Sequence, residues 1–326
     1  MPGVVDRLLS SDEPSIRHKV RTAVLGEDER SPSVRRVREL VRTSPRARTL
    51  LSERDAEGRI PFHPYGKWFG AHWVLPALAD IGYPASDETL LPLRDQVYGW
   101  LLASEHIRRV PLLDGRPRRC GSQEGNALWS TLKLSIADER ADALVENLLR
   151  WQWPDGGWNC DKNPSADTSS FHETLLPLRA LALYGRERND ERALDAARRA
   201  AEVFLTRRLF RRRTDGSVIS VSFLKFHYPP YWHYDVLAGL KVMAEAGFLA
   251  DARCAEALDL LESKRLPDGG FAAEGRYYRT SDRRMKSGRR LSGFSRVDWG
   301  GTSGRRMNEW VTTEALAVLR AAGRAV

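Results

Sequence analysis

The sequence is poor in cysteine, in long apolar runs and in alternating β-branched stretches. Its three cysteines, Cys120, Cys160 and Cys254, are odd in number and widely spaced among 326 residues, so they do not form the pattern of a disulfide framework. A reducing cytoplasm and small buried side chains account for them. No apolar run reaches the roughly 18 residues of a membrane-spanning helix, and the first residues lack the apolar core of a secretion signal. We therefore expect a cytoplasmic protein without a transmembrane segment.

The charges of the chain are unequal, because arginine is abundant. The 52 lysines and arginines outweigh the 43 aspartates and glutamates, and the formal net charge is +9. Such a charge is typical either of a protein with an anionic partner or of an arginine-rich solvated surface. Zinc-finger, recognition-helix and RNA-binding motifs are absent, so no specific nucleic acid is expected. Nonspecific phosphate contact by the basic segment 31–48 stays open.

Helix-forming residues are abundant, and they are arranged in a repeat. A helix end, a glycine turn and a following apolar residue recur from residue 50 onward. The turn glycines are Gly58, Gly115, Gly156, Gly216 and Gly269. Their spacing of roughly 40 to 60 residues is typical of an array of helix pairs.

A second helix follows each turn, and these second helices are apolar nearly all round. They lie at 70–82, 125–138, 171–185, 232–247 and 307–323. By contrast, the segments 190–205 and 251–264 have one charged face, which is typical of helices on the outside of a fold. We predict an all-α (α/α) toroid of five to six helix hairpins, with an inner apolar ring and an outer amphipathic ring. Residues 1–52 are expected to pack on the ring formed by 53–326 and to supply any sixth pair, within one structural domain overall.

The turn from Gln152 to Trp158, with the order Gln-Trp-Pro-Asp-Gly-Gly-Trp, resembles the Gln-to-Trp motif of the terpenoid (squalene) cyclase and protein prenyltransferase superfamily. A second copy keeps Asp-Gly-Gly-Phe at 268–271 but has Lys264 at the glutamine position. The chain also resembles single-domain, squalene-cyclase-like bacterial proteins of unassigned function. As a set of repeats, the resemblance covers about residues 50 to 323 and implies a ring of helix pairs. The turn itself is expected to join helices, since its glycines adopt backbone angles that other residues avoid.

Because the inner helices are expected to run in one direction, their N-terminal ends should meet at one mouth of the ring. The residues that open them are Trp68, His72, Trp73, Asn126, Trp129, His172, Glu173, Tyr231, Trp232, His233, Asp235, Asn308, Glu309 and Trp310. Aromatic and titratable groups that converge in this way are typical of a ligand pocket. Each residue taken singly also suits a helix cap or the core. We predict substrate contacts from the tryptophans, the tyrosine, the asparagines and His72, and catalytic roles for the acidic residues with His172 and His233.

A basic loop lies between the last turn and the last inner helix, at 272–306. Its basic residues are Arg276, Arg279, Arg283, Arg284, Lys286, Arg289, Arg290, Arg296, Arg305 and Arg306. Its aromatic residues are Tyr277, Tyr278, Phe294 and Trp299. Connections of this length are uncommon in compact domains, so the loop is expected to be a lid or a disordered segment. As a lid, it suits an apolar small-molecule substrate that bears a diphosphate or a carboxylate; as a basic surface loop, it needs no ligand.

The resemblance implies acid-initiated chemistry on an isoprenoid or polyene substrate, in the class of a cyclase, isomerase or lyase. In such chemistry a carboxylic acid of raised pKa protonates an alkene, and aromatic faces stabilise the resulting cation. Asp235 is the predicted acid, with Glu173 and Glu309 as alternatives and with His233 and His172 as hydrogen-bonding partners. The Asp-x-Asp-Asp run of proton-initiated cyclases is absent from the sequence.

Two alternatives belong to other functional classes. One is zinc-dependent transfer of the prenyltransferase kind, with zinc held by Cys160, Asp161 and either His172 or His233. Here cysteine directly precedes aspartate, whereas the family has Asp-x-Cys. The other is a non-catalytic module that holds a lipid-like ligand in the ring. Outside the zinc alternative we expect no cofactor. The sequence makes no prediction of the oligomeric state.

Overall fold

The computed structural model describes residues 3–280 and 292–326, and helices account for most of its regular structure. The first helices are α1 (Val4–Leu9), α2 (Pro14–Lys19, continued by a π-helical turn Val20–Val24), α3 (Pro32–Arg42) and α4 (Pro45–Leu51). The middle of the chain forms α5 (Ala71–Asp80), α6 (Leu91–Leu101), α7 (Ser104–Arg108), α8 (Gly121–Lys133), α9 (Arg140–Trp151), α10 (Phe171–Arg188) and α11 (Glu191–Leu205). The last helices are α12 (Val236–Ala246), α13 (Ala255–Ser263) and α14 (Glu309–Ala321). Short 3₁₀ turns cover Glu88–Leu90, Val221–Leu224 and Ala252–Cys254, and β1 (Leu112–Leu113) pairs antiparallel with β2 (Arg116–Pro117).

The apolar helices α5, α8, α10, α12 and α14 pack side by side in that order around the centre of the molecule. α2 and its π-helical turn pack against α14, and Lys19 at the end of α2 reaches Asp80 at the end of α5. Within the described residues, six inner helices therefore close into a ring, and the sixth comes from the N-terminal segment. This arrangement confirms the prediction of an (α/α) toroid.

An outer layer of amphipathic helices covers the ring, with α3 on α2, α6 on α5, α9 on α8, α11 on α10 and α13 on α12. The inward face of α11 is a strip of buried alanines: Ala193, Ala196, Ala197, Ala200 and Ala201. Side chains this small allow the axis of α11 to approach α10 closely. Charged residues such as Arg192 and Arg198 lie on the exposed face of α11. No helix in the described part of the chain combines the length and the hydropathy that crossing a bilayer requires.

The turn after α9 ties that helix to α11. The side-chain amide of Gln152 donates to the carbonyls of Gly156 at 2.7 Å and Ala196 at 2.8 Å. The fully buried indole of Trp158 donates back to a carbonyl of α9 at 3.1 Å. Gly156 has φ +99°, and a Cβ there would lie 2.2 Å from the carbonyl oxygen of Arg199, so only glycine fits. The motif therefore joins neighbouring helices, as its glycines predict.

The second copy of the turn uses charge where the first uses an amide. Lys264, at the glutamine position, forms an ion pair with Glu274 at 2.7 Å. Asp268 accepts a hydrogen bond from the N–H of Gly270 at 3.0 Å and pairs with Arg7 of α1 at 3.0 Å. The second turn therefore still ties neighbouring segments together, although through ion pairs, and it adds a contact to the N-terminal helix.

Candidate functional site

The segments that open the inner helices meet at one mouth of the ring through aromatic contacts. The indole of Trp68 stacks on the phenol ring of Tyr231 with centroids 4.0 Å apart, and Trp73 meets Trp68 edge-on at 4.6 Å. The side-chain amide of Asn126 donates to the backbone carbonyl of His72 at 3.3 Å. The predicted openings of α5, α8 and α12 are thus brought together.

A cavity occupies the centre of the ring next to this mouth. Its lining consists of Trp73, Pro76, Ala77, Asp80, Asn126, Trp129, Leu175, Leu176, Arg179, Tyr228, Pro229, Pro230, Tyr231, Trp232, His233, Ala238, Lys241, Val242 and Trp299. The volume of this cavity is about 50 Å³. The wall is mainly aromatic and apolar, which suits an apolar ligand.

Charged side chains separate this cavity from a second one toward the opposite end of the ring. Asp80, Arg179 and Lys241 line both cavities. The carboxylate of Asp80 accepts hydrogen bonds from Lys241 at 2.6 Å and from the phenol of Tyr228 at 2.8 Å. Burial by itself raises the pKa of Asp80, but the charges of Lys19 and of the two cations on the lining outweigh it and hold that pKa well below its ordinary value. Asp80 is therefore an anion in the folded protein and not a proton donor.

This boundary is a network of six side chains from five inner helices, which we call the ionic floor. Its members are Lys19, Asp80, Arg179, Lys241, Glu245 and Glu314. Arg179 reaches Glu245 at 2.7 Å, and Lys241 reaches Glu314 at 2.9 Å. Three cations face three carboxylates, so the floor as a whole is neutral. Each charge is paired, as the buried Arg179 and Glu314 require, whereas the side chain of Glu245 is 34 % exposed.

Six of the residues predicted from the helix openings line the aromatic cavity. They are Trp73, Asn126, Trp129, Tyr231, Trp232 and His233. Others lie behind the wall: Trp310 stacks on Tyr228 at 4.9 Å, and Asn308 caps α14 by accepting the N–H of Trp310 at 3.0 Å. Glu309 accepts a hydrogen bond from the hydroxyl of Ser11 at 2.9 Å.

Asp235, the predicted acid, is 1 % exposed and lies outside the cavity lining. One carboxylate oxygen accepts the N–H of Ala238 at 2.7 Å. The other accepts the backbone N–H of His227 at 2.9 Å and lies 2.6 Å from Nδ1 of the same histidine. Both oxygens are thus engaged at the N-cap of α12. This geometry gives Asp235 a structural role, and it lends no support to proton donation into the cavity.

The predicted histidines lie among aromatic rings. The imidazole of His233 is stacked between Trp232 at 4.4 Å and Tyr277 at 3.7 Å, and His172 lies edge-on to Trp232 at 5.3 Å. Burial lowers the pKa of His72 and of His233 to about 3, so both are neutral near pH 7. Both ring nitrogens of His72 are buried, and neither has a hydrogen-bond partner among the described residues.

Two thiols and a carboxylate lie together at the same mouth, because Cys120 precedes α8 and Glu173 is in the first turn of α10. Ligand atoms of Cys120, Cys160 and Glu173 all lie within 4.8 Å of one another, and no other such group of three occurs among the described residues. Burial raises the pKa of Glu173. The hydrogen bond with Cys160, burial and the charge of Glu173 raise the pKa of Cys120.

The zinc ligands suggested by the sequence, Cys160, Asp161 and either His172 or His233, do not come together. Asp161 is exposed, and its carboxylate accepts a backbone hydrogen bond of its own loop at 2.9 Å. The ring of His172 lies among aromatic side chains instead. The side chains that meet Cys160 are Cys120 and Glu173, because the loops before α8 and α10 run side by side.

The described parts of the basic loop, 272–280 and 292–306, lie across the mouth. The indole of Trp68 donates to the backbone carbonyl of Tyr277 at 2.9 Å, and Trp299 reaches the cavity lining. These contacts favour the lid interpretation of the loop. The basic residues Arg283, Arg284, Lys286, Arg289 and Arg290 lie outside the described residues.

The sequence prediction did not include the ionic floor, Tyr228 or Cys120. A usable signal for the floor was present, because Asp80, Arg179 and Lys241 are isolated charges in otherwise apolar stretches. A charge that is buried with such a helix needs a partner. No comparable pattern marks Cys120, whose partner follows a different turn.

The fold and the site together define an (α/α) toroid with an aromatic central cavity. No family model and no curated protein matches the chain. The unsaturated glucuronyl hydrolase of Bacillus sp. GL1, responsible for the degradation of glycosaminoglycan, aligns over 94% of this chain and 84% of its own, with 16% identity and a TM-score of 0.40. The type II terpene cyclase MstE from Scytonema, solved as a variant with merosterolic acid A, aligns over 85% of this chain and 94% of its own, with 15% identity and a TM-score of 0.25. At these values neither likeness carries an argument about activity, and the link to terpenoid cyclases is weak.

Proposed function

We propose that the protein binds an apolar small molecule of isoprenoid or polyene type in the central cavity of its ring. The observation that carries this proposal is the aromatic composition of the cavity wall. Its rings belong to Trp73, Trp129, Trp232, Trp299, Tyr228 and Tyr231. Flat aromatic faces gain contact area against alkyl and alkene chains at little cost in side-chain entropy, and an apolar ligand needs few polar partners in return.

An anionic end group on the ligand fits the mouth better than the floor. The floor is neutralised by its own ion pairs and offers little net attraction to an anion. At the mouth, the ammonium of Lys67 lies 4.9 Å from the ring centre of Trp232 and 5.2 Å from that of Trp68. A chain that enters the cavity therefore leaves its head group beside Lys67 and the basic loop.

Turnover of such a ligand by acid-initiated cyclisation or isomerisation is our second candidate, and the aromatic wall is the observation that favours it. Aromatic faces stabilise the cations that form in such reactions. Neither Asp235 nor Asp80 is suited to donate the proton that starts such a reaction, because Asp235 is engaged as a helix cap and Asp80 is held as an anion. If Asp235→Asn leaves turnover of an active prenyl substrate unchanged, Asp235 is not the acid.

The binding proposal is tested with parinaric acid, a fluorescent polyene with a carboxylate, and with two matched variants of α12. Ala238 lines the aromatic cavity and Ala244 lines the second cavity, so Ala238→Phe and Ala244→Phe place the same bulk on either side of the floor. We expect Ala238→Phe to weaken binding at least roughly tenfold, or about 1.4 kcal/mol, and Ala244→Phe to leave it within about twofold. Native mass spectrometry of the purified protein reports any lipid that copurifies.

Equal affinity in the wild type and in Ala238→Phe would place the ligand elsewhere and refute the proposal. Loss of binding in Ala244→Phe alone would move the site to the second cavity, with the same consequence. Circular dichroism of both variants shows whether the ring is still folded.

A further inference from the structure

Two loops place a pair of cysteines side by side at the mouth of the ring. The backbone N–H of Arg119 donates to the carbonyl of Asn159 at 3.0 Å, and the next residue in each loop is a cysteine. Cys120 and Cys160 therefore become neighbours, although they lead into different inner helices. Both are partly exposed, so an ion from solvent can reach them.

A buried carboxylate faces this pair in a fixed orientation. One oxygen of Glu173, Oε2, accepts hydrogen bonds from the N–H of Ser122 at 3.2 Å and from its hydroxyl at 2.7 Å. The other oxygen, Oε1, lies 3.5 Å from Sγ of Cys160. Polar groups that hold a ligand from behind in this way are typical of metal sites.

The spacing of these atoms fits a tetrahedral metal ion. A zinc–sulfur bond of about 2.3 Å and a zinc–oxygen bond of about 2.0 Å at a tetrahedral angle put the two ligand atoms about 3.5 Å apart. The distance between Cys160 Sγ and Glu173 Oε1 is 3.5 Å, and Cys120 completes the set within 4.8 Å. Thiolate ligands select soft or borderline cations such as zinc over magnesium or calcium.

We propose that Cys120, Cys160 and Glu173 bind one divalent cation of the zinc class, with the fourth position left for water or for a polar group of a ligand. Three protein ligands and one open position are the arrangement of catalytic zinc sites, whereas structural sites use four protein ligands. On binding, the two thiols release their protons to solvent and their sulfurs bond to the cation. The charge of Lys67, which interacts with both Cys120 and Glu173, offsets the excess negative charge of one divalent cation with three anionic ligands, whereas Arg119 is paired with the buried Glu124.

The proposal is tested by dialysing the reduced, full-length protein against Zn²⁺ or Co²⁺ and measuring bound metal by elemental analysis and absorption. We expect about one ion per chain and sulfur-to-cobalt charge-transfer bands. Cys120→Ser and Cys160→Ser should each weaken binding at least roughly a hundredfold and reduce those bands. Ser122→Ala, which leaves every ligand in place, should weaken binding by about ten- to a hundredfold.

Two control variants separate this site from other thiols and carboxylates. Cys254 is fully buried elsewhere, and Asp161 is the exposed acid next to Cys160, so Cys254→Ser and Asp161→Asn should bind metal like the wild type. Substoichiometric metal in the reduced wild type, or equal losses in Cys254→Ser and Cys120→Ser, would overturn the proposal. A disulfide between Cys120 and Cys160 would also overturn the proposal if the protein, once reduced, still takes up no cobalt. That result would identify the two cysteines as a redox pair.

Discussion

The two ends of the ring interior, the ionic floor and the mouth, differ in how they accommodate charged and polar side chains. Around the ionic floor each of the six charges is paired with one on a different helix, so the pairs connect the inner helices and their charges are unavailable to a ligand. Around the mouth, His72 and His233 are neutral near pH 7, and aromatic and other apolar side chains form most of the cavity lining. The floor end of the ring interior therefore serves contacts between helices, whereas the mouth end remains available for a ligand.

The same difference explains in which direction the pKa values are shifted at each end of the ring. At the floor, cations lower the pKa of Asp80 against the effect of burial. At the mouth, no such charge compensates burial, and the pKa of His72 falls to about 3. Burial is shared by both halves, and the presence of an opposite charge decides which groups stay ionised.

The largest effect is expected from Asp80→Asn, because it leaves three buried cations with only two carboxylates. Removing one partner of a buried ion pair costs about 3–5 kcal/mol in the free energy of unfolding, which urea denaturation measures. As a control, Glu146→Gln breaks the exposed pair with Arg192 (2.8 Å) and should cost less than about 1 kcal/mol. Similar costs for the two variants would show that the floor does not stabilise the ring.

Acid should weaken the mouth before it weakens the floor. The unfolded chain protonates histidine below about pH 6.5. His72 and His233 in the folded protein take up a proton only near pH 3. The free energy of unfolding is therefore not reduced by these two histidines above pH 6.5, and it declines as the pH falls from there toward about 3. The loss for each histidine is about 1.4 kcal/mol per unit of pKa difference between the unfolded and folded states. Asp80, with its lowered pKa, loses its contribution only below its unfolded value of 3.8.

Unfolding of His72→Gln at pH 7 and pH 4.5 checks this order. The variant should lose less stability between the two pH values than the wild type, by a few kcal/mol. His63→Gln, at an exposed histidine, serves as the matched control. A wild-type stability that stays constant from pH 7 to 4.5 would contradict neutral buried histidines at the mouth.

A smaller effect, on binding and not on folding, is expected from Trp232→Ala. Trp232 lines the cavity but is partly exposed, so its removal should lower affinity for parinaric acid about tenfold while the unfolding midpoint changes little. Trp100 is also partly exposed but lies outside the lining, so Trp100→Ala should leave affinity unchanged. Equal losses of affinity in both variants would mean that the aromatic wall is not the binding surface.

The smallest effect is expected from Tyr277→Ala in the basic loop. Its ring is 37 % exposed and stacks on His233 at 3.7 Å, so the stability change should stay below about 1 kcal/mol. If the loop acts as a lid, removal of this ring should speed association of the probe severalfold in stopped-flow fluorescence. An unchanged association rate would leave the loop with a packing role only.

Much of the fold follows from local patterns. The repeat of glycine turns and apolar helices predicts the ring, and the Gln152 to Trp158 turn joins helices as its residue types indicate. Six of the helix-opening residues line the cavity because helices that run in one direction bring their starts to one end. The contacts of Asp235 with His227 and of Cys120 with Cys160 did not follow, because they depend on how separate loops fold against one another.

The amino-acid sequence by itself determined the helices, their order and the aromatic character of one mouth, because periodicity and turn chemistry act over short stretches of chain. The tertiary structure decided which side chains meet. Lys19, Asp80 and Glu314 pair only because the ring closes between its first and last helices. Cys120 reaches Cys160 only because two loops hydrogen-bond side by side. Such contacts depend on the neighbours that each helix acquires, and no local pattern specifies those neighbours.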